Sequence, residues 1–173
     1  MPHLVAPVNL HRHDADLALR MVAPDGGNLL VRRLATMGFG LYGPADGTRP
    51  LRQVTWPDLA GADTLLAWSK SFGFTEGGRF SVNSLEALLE AVRRGIGIGV
   101  LPHFLACKTG LHLITNELPQ GGKMERPVLL ATHAELAASR RVRAVADAIA
   151  QEVLAIRGQL ETGLPSPLSS DAG

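Results

Sequence analysis

The sequence predicts an α/β fold with a largely parallel sheet. Short apolar runs of strand length alternate with segments of helical period, and clusters of glycine and proline separate them. The clearest example is residues 79–104, where a short strand, a helix, a glycine turn and a second strand follow one another. The chain has 173 residues, of which 46% are hydrophobic and 19% charged, so it is long enough to bury one sizeable core or two small lobes.

The helix within this stretch has clear start and stop signals. Asn83 is the predicted N-cap, and Glu86 follows at the capping-box spacing. Four apolar residues behind it recur at helical period: Leu85, Leu88, Leu89 and Val92. Gly95 is predicted to end the helix in a left-handed conformation.

A buried strand is predicted at residues 96–101, ended by Pro102. Gly95, Gly97 and Gly99 resemble part of a dinucleotide-binding loop. A phosphate-binding glycine loop, however, follows a strand and opens a helix, whereas these glycines follow a helix and enter a strand. We therefore expect them to allow close packing, and we expect the free N–H groups that suit an anion to lie at the helix start, Asn83–Ser84.

The remaining elements are assigned in chain order. Further strands are predicted at residues 15–21, 29–35, 39–42, 64–68, 79–82, 111–114 and 127–133. Residues 43–50 are predicted to form a crossover loop, and residues 69–78 a polar, mobile segment. Ser139 is predicted to cap a helix that ends at Gly158, and residues 158–173 a disordered, solvated tail.

Composition excludes several classes of function. The formal net charge of +1 gives no overall electrostatic footprint for nucleic acid. The single cysteine, Cys107, excludes an internal disulfide and fits a reducing compartment; its simplest interpretation is a small buried hydrophobe. No apolar run approaches the ~20 residues that span a membrane. Since the N-terminus also lacks the pattern of a signal peptide, we expect a cytoplasmic protein without membrane contact.

The sequence offers two weak candidates for chemistry. His11, His13, Asp14 and Asp16 could ligate a metal, but on a strand the two histidines face away from the two aspartates. Ser84 could be a nucleophile, but nothing local supplies its base. We therefore predict no catalytic residues, no metal and no cofactor, and the protein is not expected to be an enzyme.

Three segments in order resemble one family. VNSLEALLEAVRRGIGIGVLPHFLA, LHRHDADLALRMVAPDGGNLLVRRLATMGFGLYGPA and SRRVRAVADAIAQEVL resemble the second subdomain, the first subdomain and the closing helix of one domain. That domain is the effector-binding region of LysR-type transcriptional regulators. The resemblance covers roughly residues 9–157. It implies a two-lobed fold of the type 2 periplasmic-binding-protein kind, with mostly parallel sheets and an incomplete first lobe.

The resemblance also implies an organisation and a function. Lobe 1 is expected at residues 1–46 plus 134–157, and lobe 2 at residues 47–133. A small polar or anionic effector is expected to bind between them, with contributions from helix-start donors, a facing loop, a lobe 1 charge at a strand end and a rim histidine. The expected effector-binding residues are Asn83, Ser84, Ser69, Lys70, Val82, Arg20 and His103.

Two parts of the family pattern have no match. These are the winged helix-turn-helix domain and the first strand–helix–strand of lobe 1. We expect a fragment, a gene product with a misplaced start, or a degenerate regulator, with an exposed sheet edge. It is expected to form homodimers or higher homo-oligomers, and to reach DNA only through a domain absent from this chain. Three alternatives remain open: a solute-binding protein of the same fold, a small α/β enzyme, and an interaction fragment that pairs through its exposed edge.

Overall fold

The computed structural model describes residues 15–24, 26–57, 63–73 and 77–164, and it confirms the α/β fold class. The strands are β1 (Leu17–Arg20), β2 (Leu29–Gly43), β3 (Gln53–Thr55), β4 (Arg79–Ser81), β5 (Ile98–Pro102), β6 (His112–Thr115) and β7 (Glu125–His133). The helices are α1 (Asp63–Ser71), α2 (Leu85–Arg93), α3 (His103–Ala106), α4 (Arg140–Ala155) and α5 (Arg157–Thr162). None of the helices in these ranges is long and apolar enough to cross a membrane.

The chain forms two compact units. Unit 1 comprises residues 1–36 and 126–157, and unit 2 comprises residues 37–125 and 158–173. The chain passes between them three times: inside β2, inside β7 and at the start of α5. β2 runs for 15 residues without a break, so the two strands predicted at 29–35 and 39–42 are one. Gly38 does not interrupt it; a side chain there would meet the carbonyl oxygen of Glu161.

Unit 2 has three layers. β4, β3 and β5 run parallel in that order, and β2 pairs antiparallel with β5 and with β6. The predicted mostly parallel pairing therefore holds only for β4, β3 and β5. Helix α2 packs on one face, against a cluster that includes Tyr42, Val54 and Leu101. Residues of α1 pack on a second cluster that includes Phe39, Ile98 and Val100.

Helix α1 corrects two predictions. The sequence analysis placed a strand at residues 64–68 and a mobile segment at 69–78, but Asp63–Ser71 is helical. Leu65, Trp68 and Phe72 recur at helical period and pack against the same core cluster. Burial of that stripe decides the structure, because a run this short carries too little local signal to separate helix from strand.

Helix α2 lies where it was predicted, with its N-cap one residue later. Ser84, not Asn83, has the extended cap conformation, and its Oγ accepts a hydrogen bond from the Ala87 N–H at 3.1 Å. Gly95 has φ +71°, which confirms the predicted left-handed end of the helix. The close packing expected at the following glycines is also present: a side chain on Gly97 would stand 2.6 Å from the carbonyl oxygen of Arg52.

Unit 1 is built on β7, which lies between β1 and the first half of β2. β1 pairs antiparallel with β7, and α4 buries Val142, Ala150 and Val153. The predicted end of this helix at Gly158 is three residues late, because α4 ends at Ala155 and α5 follows. Helix α5 also replaces the first part of the predicted disordered tail, since Leu160 is buried. The rest of that tail, residues 165–173, lies outside the described residues.

Candidate functional site

The carboxyl ends of three parallel strands define the candidate site, which lies within unit 2. Val54 of β3 pairs with Phe80 of β4 and with Gly99 of β5, so the residues that follow these strands lie along one edge of the sheet. Trp56 follows β3, and Val82 follows β4 and donates its N–H to the Thr55 carbonyl at 3.0 Å. Ligands of open α/β sheets bind at such edges.

The start of α2 presents hydrogen-bond donors at this edge. Ser84 binds the Ala87 N–H through its hydroxyl oxygen and the Leu88 N–H through its carbonyl. The N–H groups of Leu85 and Glu86, in the first turn, have no intrahelical acceptor. The Ser84 hydroxyl accepts one bond and retains its own hydrogen to donate. Asn83 is exposed beside them, so this end of the helix suits a ligand that brings acceptor atoms.

Trp56 is a residue of this edge that the sequence analysis did not single out. Its ring packs against the α2-side cluster together with Val82 and Leu85. Its indole Nε1 is buried and has no hydrogen-bond partner among the described residues. A buried donor without an acceptor costs about 1–3 kcal/mol, so an acceptor for this group would stabilise the protein. The sequence analysis predicted no strand at Gln53–Thr55, so it gave no signal for Trp56.

Ser69 and Lys70 do not join this edge. Both lie in the last turn of α1, and the Ser69 carbonyl accepts a hydrogen bond from Gln53 Nε2 at 2.7 Å. Because Gln53 begins β3 and Trp56 follows its end, Ser69 lies at the opposite edge of the sheet. Ser69 is also only 2% exposed. The prediction that Ser69 and Lys70 belong to a loop was wrong, because both residues are part of helix α1.

His103 is buried rather than at a rim. Its Nδ1 is 2.6 Å from the Tyr42 hydroxyl oxygen, and the residue is 7% exposed. Gly40 makes room for it, since a Cβ there would stand 3.0 Å from the ring. Burial lowers the pKa of His103, partly offset by the negative charge of Glu125, and burial raises the pKa of Tyr42. The two side chains form a neutral, internally satisfied pair.

This pair gives a pH prediction. Because the folded pKa of His103 lies below its ordinary value of 6.5, the unfolded chain binds the proton more readily. The free energy of unfolding is therefore expected to fall as pH drops below about 6.5. Urea denaturation across this range measures the slope. His103→Asn should flatten it, and an equal slope in the wild type and the variant would show that another group is responsible.

The remaining predicted positions fall in unit 1 or outside the described residues. Arg20 is half-buried at the carboxyl end of β1, opposite Leu129 of β7. A carboxylate oxygen of Asp16 lies 3.9 Å from a guanidinium nitrogen of Arg141 in an exposed ion pair. The other members of the predicted metal cluster, His11, His13 and Asp14, lie outside the described residues. Within the described ranges no group of three or more histidine, cysteine, aspartate or glutamate side chains could hold a metal ion.

Comparisons with known proteins identify one family. The sequence family described as the LysR substrate binding domain matches residues 6–154. Comparison with curated proteins gives no match. Among solved structures, the regulatory domain of MetR, a LysR family regulator from N. meningitidis, is 15% identical with a TM-score of 0.63, and the match covers 84% of this chain and 76% of that one.

Two further structures contain small molecules. The Synechocystis CcmR regulatory domain, solved in complex with 2-PG, is 18% identical with a TM-score of 0.62; the match covers 88% of this chain and 78% of that one. Full-length LysG from Corynebacterium glutamicum, solved with its effector Arg, is 20% identical with a TM-score of 0.61. That match covers 82% of this chain and 52% of LysG, so the chain spans about half the length of LysG.

Proposed function

The chain belongs to the family of LysR substrate-binding domains, and from that membership we propose that it senses a small polar or anionic effector at the edge formed by Trp56 and the start of α2. The family is one of transcription regulators rather than enzymes. The observation that carries the assignment of the site is the buried Trp56 Nε1, which has no acceptor among the described residues.

The chemistry of the edge narrows the class of effector. The indole N–H, the first-turn N–H groups of α2 and the Ser84 hydroxyl are all donors. Several donors along one edge of the sheet favour a carboxylate or another group with several acceptor atoms. The partial positive charge at the start of α2 favours a negative group further. Asn83 and Val82 are retained in the proposed site, and Ser69, Lys70 and His103 are not.

Arg20 is retained as a separate proposal. The resemblance assigns it to the effector site, and a guanidinium would suit the same class of ligand. Arg20→Ala tests this directly: effector affinity should fall if Arg20 contacts the ligand and stay unchanged if it does not.

Sensing, not catalysis, is the proposed role. The Ser84 hydroxyl serves as a helix cap, and no base contacts it among the described residues. An effector that binds one arrangement of the domain better than another shifts the population toward it, which is how binding can be transmitted. We propose that this takes place in the cytoplasm, in a homo-oligomer, and that any effect on DNA passes through a DNA-binding domain.

A thermal-shift screen of carboxylates, amino acids, aromatic acids and nucleotides tests the proposal. A compound at 100 times its dissociation constant should add about 2.7 kcal/mol to the free energy of unfolding. We expect hits among compounds that carry a carboxylate or phosphate. If only compounds without acceptor groups stabilise the protein, the proposed donor site is wrong.

Ser84→Ala gives a second prediction on the same site. Loss of the cap should lower the free energy of unfolding by about 1 kcal/mol and also weaken binding of a hit from the screen. Ser139→Ala is the matched control, because Ser139 begins α4 without a side-chain cap hydrogen bond. It should change neither quantity measurably. Equal effects of the two substitutions on binding would show that Ser84 does not contact the effector.

A further inference from the structure

A groove in unit 1 lies between the sheet and helix α4. Strands β2 and β7 contribute Leu30, Leu130 and Thr132 to its lining, and α4 contributes Val142 and Ala146. The groove has a volume of about 220 Å³. An engineered protein cavity of about 150 Å³ holds benzene, so this groove can hold one small ring or short chain with a polar substituent.

The apolar lining contains one buried polar group. Thr132 is only 9% exposed, and its hydroxyl forms no side-chain hydrogen bond among the described residues. A buried hydroxyl without a partner is unfavourable, and it can donate to an acceptor that a ligand brings. Leu130 and Val142 beside it are buried as well. The groove therefore suits a mostly apolar molecule that carries a hydrogen-bonding group.

Two arginines, Arg32 and Arg143, also line the groove. A guanidinium nitrogen of Arg32 lies 3.8 Å from a carboxylate oxygen of Asp147, and each of these two side chains is 59% exposed, so this ion pair is weak. Arg143 forms no ion pair among the described residues. Two guanidinium groups thus stand against one carboxylate, and the excess positive charge favours an anion.

The first turn of α4 adds to this positive charge. Ser139 begins the helix without a side-chain cap hydrogen bond. The N–H of Arg143 donates to the Ser139 carbonyl at 3.0 Å, but the three N–H groups before it have no intrahelical acceptor. The start of a helix carries a partial positive charge, which arginines there make less favourable and a bound anion compensates. Val142 and Arg143 bring this end of α4 to the groove.

We propose that this groove is a second ligand site, which binds a small monocarboxylate with an apolar body, of the size of phenylacetate or hexanoate. The apolar body packs on Leu30, Leu130 and Val142. The carboxylate lies between the Thr132 hydroxyl and Arg143. All of these residues belong to unit 1, so the proposal does not depend on the effector site proposed in unit 2.

Titration of the full chain with phenylacetate and with hexanoate tests the proposal, followed by nitrogen-15 NMR. The amide signals of Thr132, Val142 and Ala146 should move as either acid binds. Phenylacetamide has nearly the same shape without the charge, so it should bind about tenfold more weakly than phenylacetate.

Two variants of α4 separate the groove from the rest of the surface. Ala146→Leu fills the groove, so it should weaken phenylacetate binding about tenfold or more. Ala148→Leu is the matched control, because Ala148 is exposed on the same helix and does not line the groove. Ala148→Leu should leave the affinity unchanged.

Thr132→Val and Arg143→Gln test the two polar contacts. Thr132→Val removes the hydroxyl and keeps the shape, so it should weaken binding while the free energy of unfolding stays unchanged or rises. Arg143→Gln should weaken phenylacetate binding about threefold. Arg140→Gln, in the same turn of α4 but outside the lining, should not.

The contrary results are specific. If neither acid binds at concentrations up to about 10 mM, the proposal is overturned. Binding that survives Ala146→Leu but is lost in Trp56→Phe would place the acid at the effector site of unit 2 and would also overturn it. Equal affinity for phenylacetate and phenylacetamide would overturn the assignment of a carboxylate.

Discussion

Replacement of Gly97 by alanine is expected to destabilise the protein by about 2–3 kcal/mol. The added Cβ would stand 2.6 Å from the Arg52 carbonyl oxygen and 3.0 Å from the Val54 side chain. The first of these neighbours is backbone, and the Ile98 N–H is bonded to the same carbonyl at 3.0 Å, so it cannot move without loss of that bond. Chemical denaturation of the full chain measures the change.

Gly99→Ala is the matched control for this prediction. Its nearest neighbours would stand at 3.1–3.2 Å, and two of the three are side-chain atoms, of Val92 and Leu88. These can shift by a few tenths of an ångström, so a smaller loss is expected. If the two alanine variants lose equal stability, close backbone approach is not the reason for glycine at position 97.

Trp56→Phe is expected to weaken effector binding about tenfold while leaving the stability of the free protein unchanged or slightly raised. Phenylalanine keeps an aromatic ring against the cluster that includes Val54, Leu88 and Leu101 but removes the buried N–H, which has no acceptor among the described residues. An indole N–H that is bonded only when the ligand is present stabilises the complex. In the free protein the same N–H is buried without an acceptor, which lowers the free energy of unfolding. Calorimetric titration with a hit from the screen and urea denaturation give the two quantities.

Trp68→Phe separates this effect from a general loss of packing. Trp68 packs against Phe39, with ring centroids 5.4 Å apart, in the cluster on the side of α1. The Trp68→Phe variant should have a lower free energy of unfolding and an unchanged effector affinity, the reverse of the Trp56→Phe variant. Unchanged affinity in Trp56→Phe would remove Trp56 from the site.

Local patterns were sufficient where they were long and agreed with one another. The segment from α2 to β5 joins a helical stripe, a glycine stop and an apolar strand, and its elements lie within two residues of their predicted positions. Helix α1 was predicted as a strand because the local sequence does not distinguish the two. Only the fold shows that Leu65 and Trp68 pack together against one core cluster. β2 was predicted as two strands with a gap at residues 36–38, although Gly38 lies within one continuous strand and permits close packing with Glu161.

The candidate site was predictable only in part. Helix-start donors follow from a cap signal, so Ser84 was identified from the sequence. The position of Ser69 depends on which edge of the sheet receives the end of α1, which no local pattern specifies. His103 follows a strand in the way that site residues do, but its partner Tyr42 is 61 residues away in sequence. Whether the Trp56 indole has an acceptor is likewise visible only in the fold.

The most direct test of the effector site is the indole N–H resonances of the two tryptophans, recorded by nitrogen-15 NMR during titration with the strongest hit from the screen. We predict that the Trp56 indole signal and the Leu85 and Glu86 amide signals move as the compound binds. The Trp68 indole, in the α1-side cluster, should stay in place. A compound that binds and moves only the Trp68 signal, or neither indole signal, would contradict the proposed site.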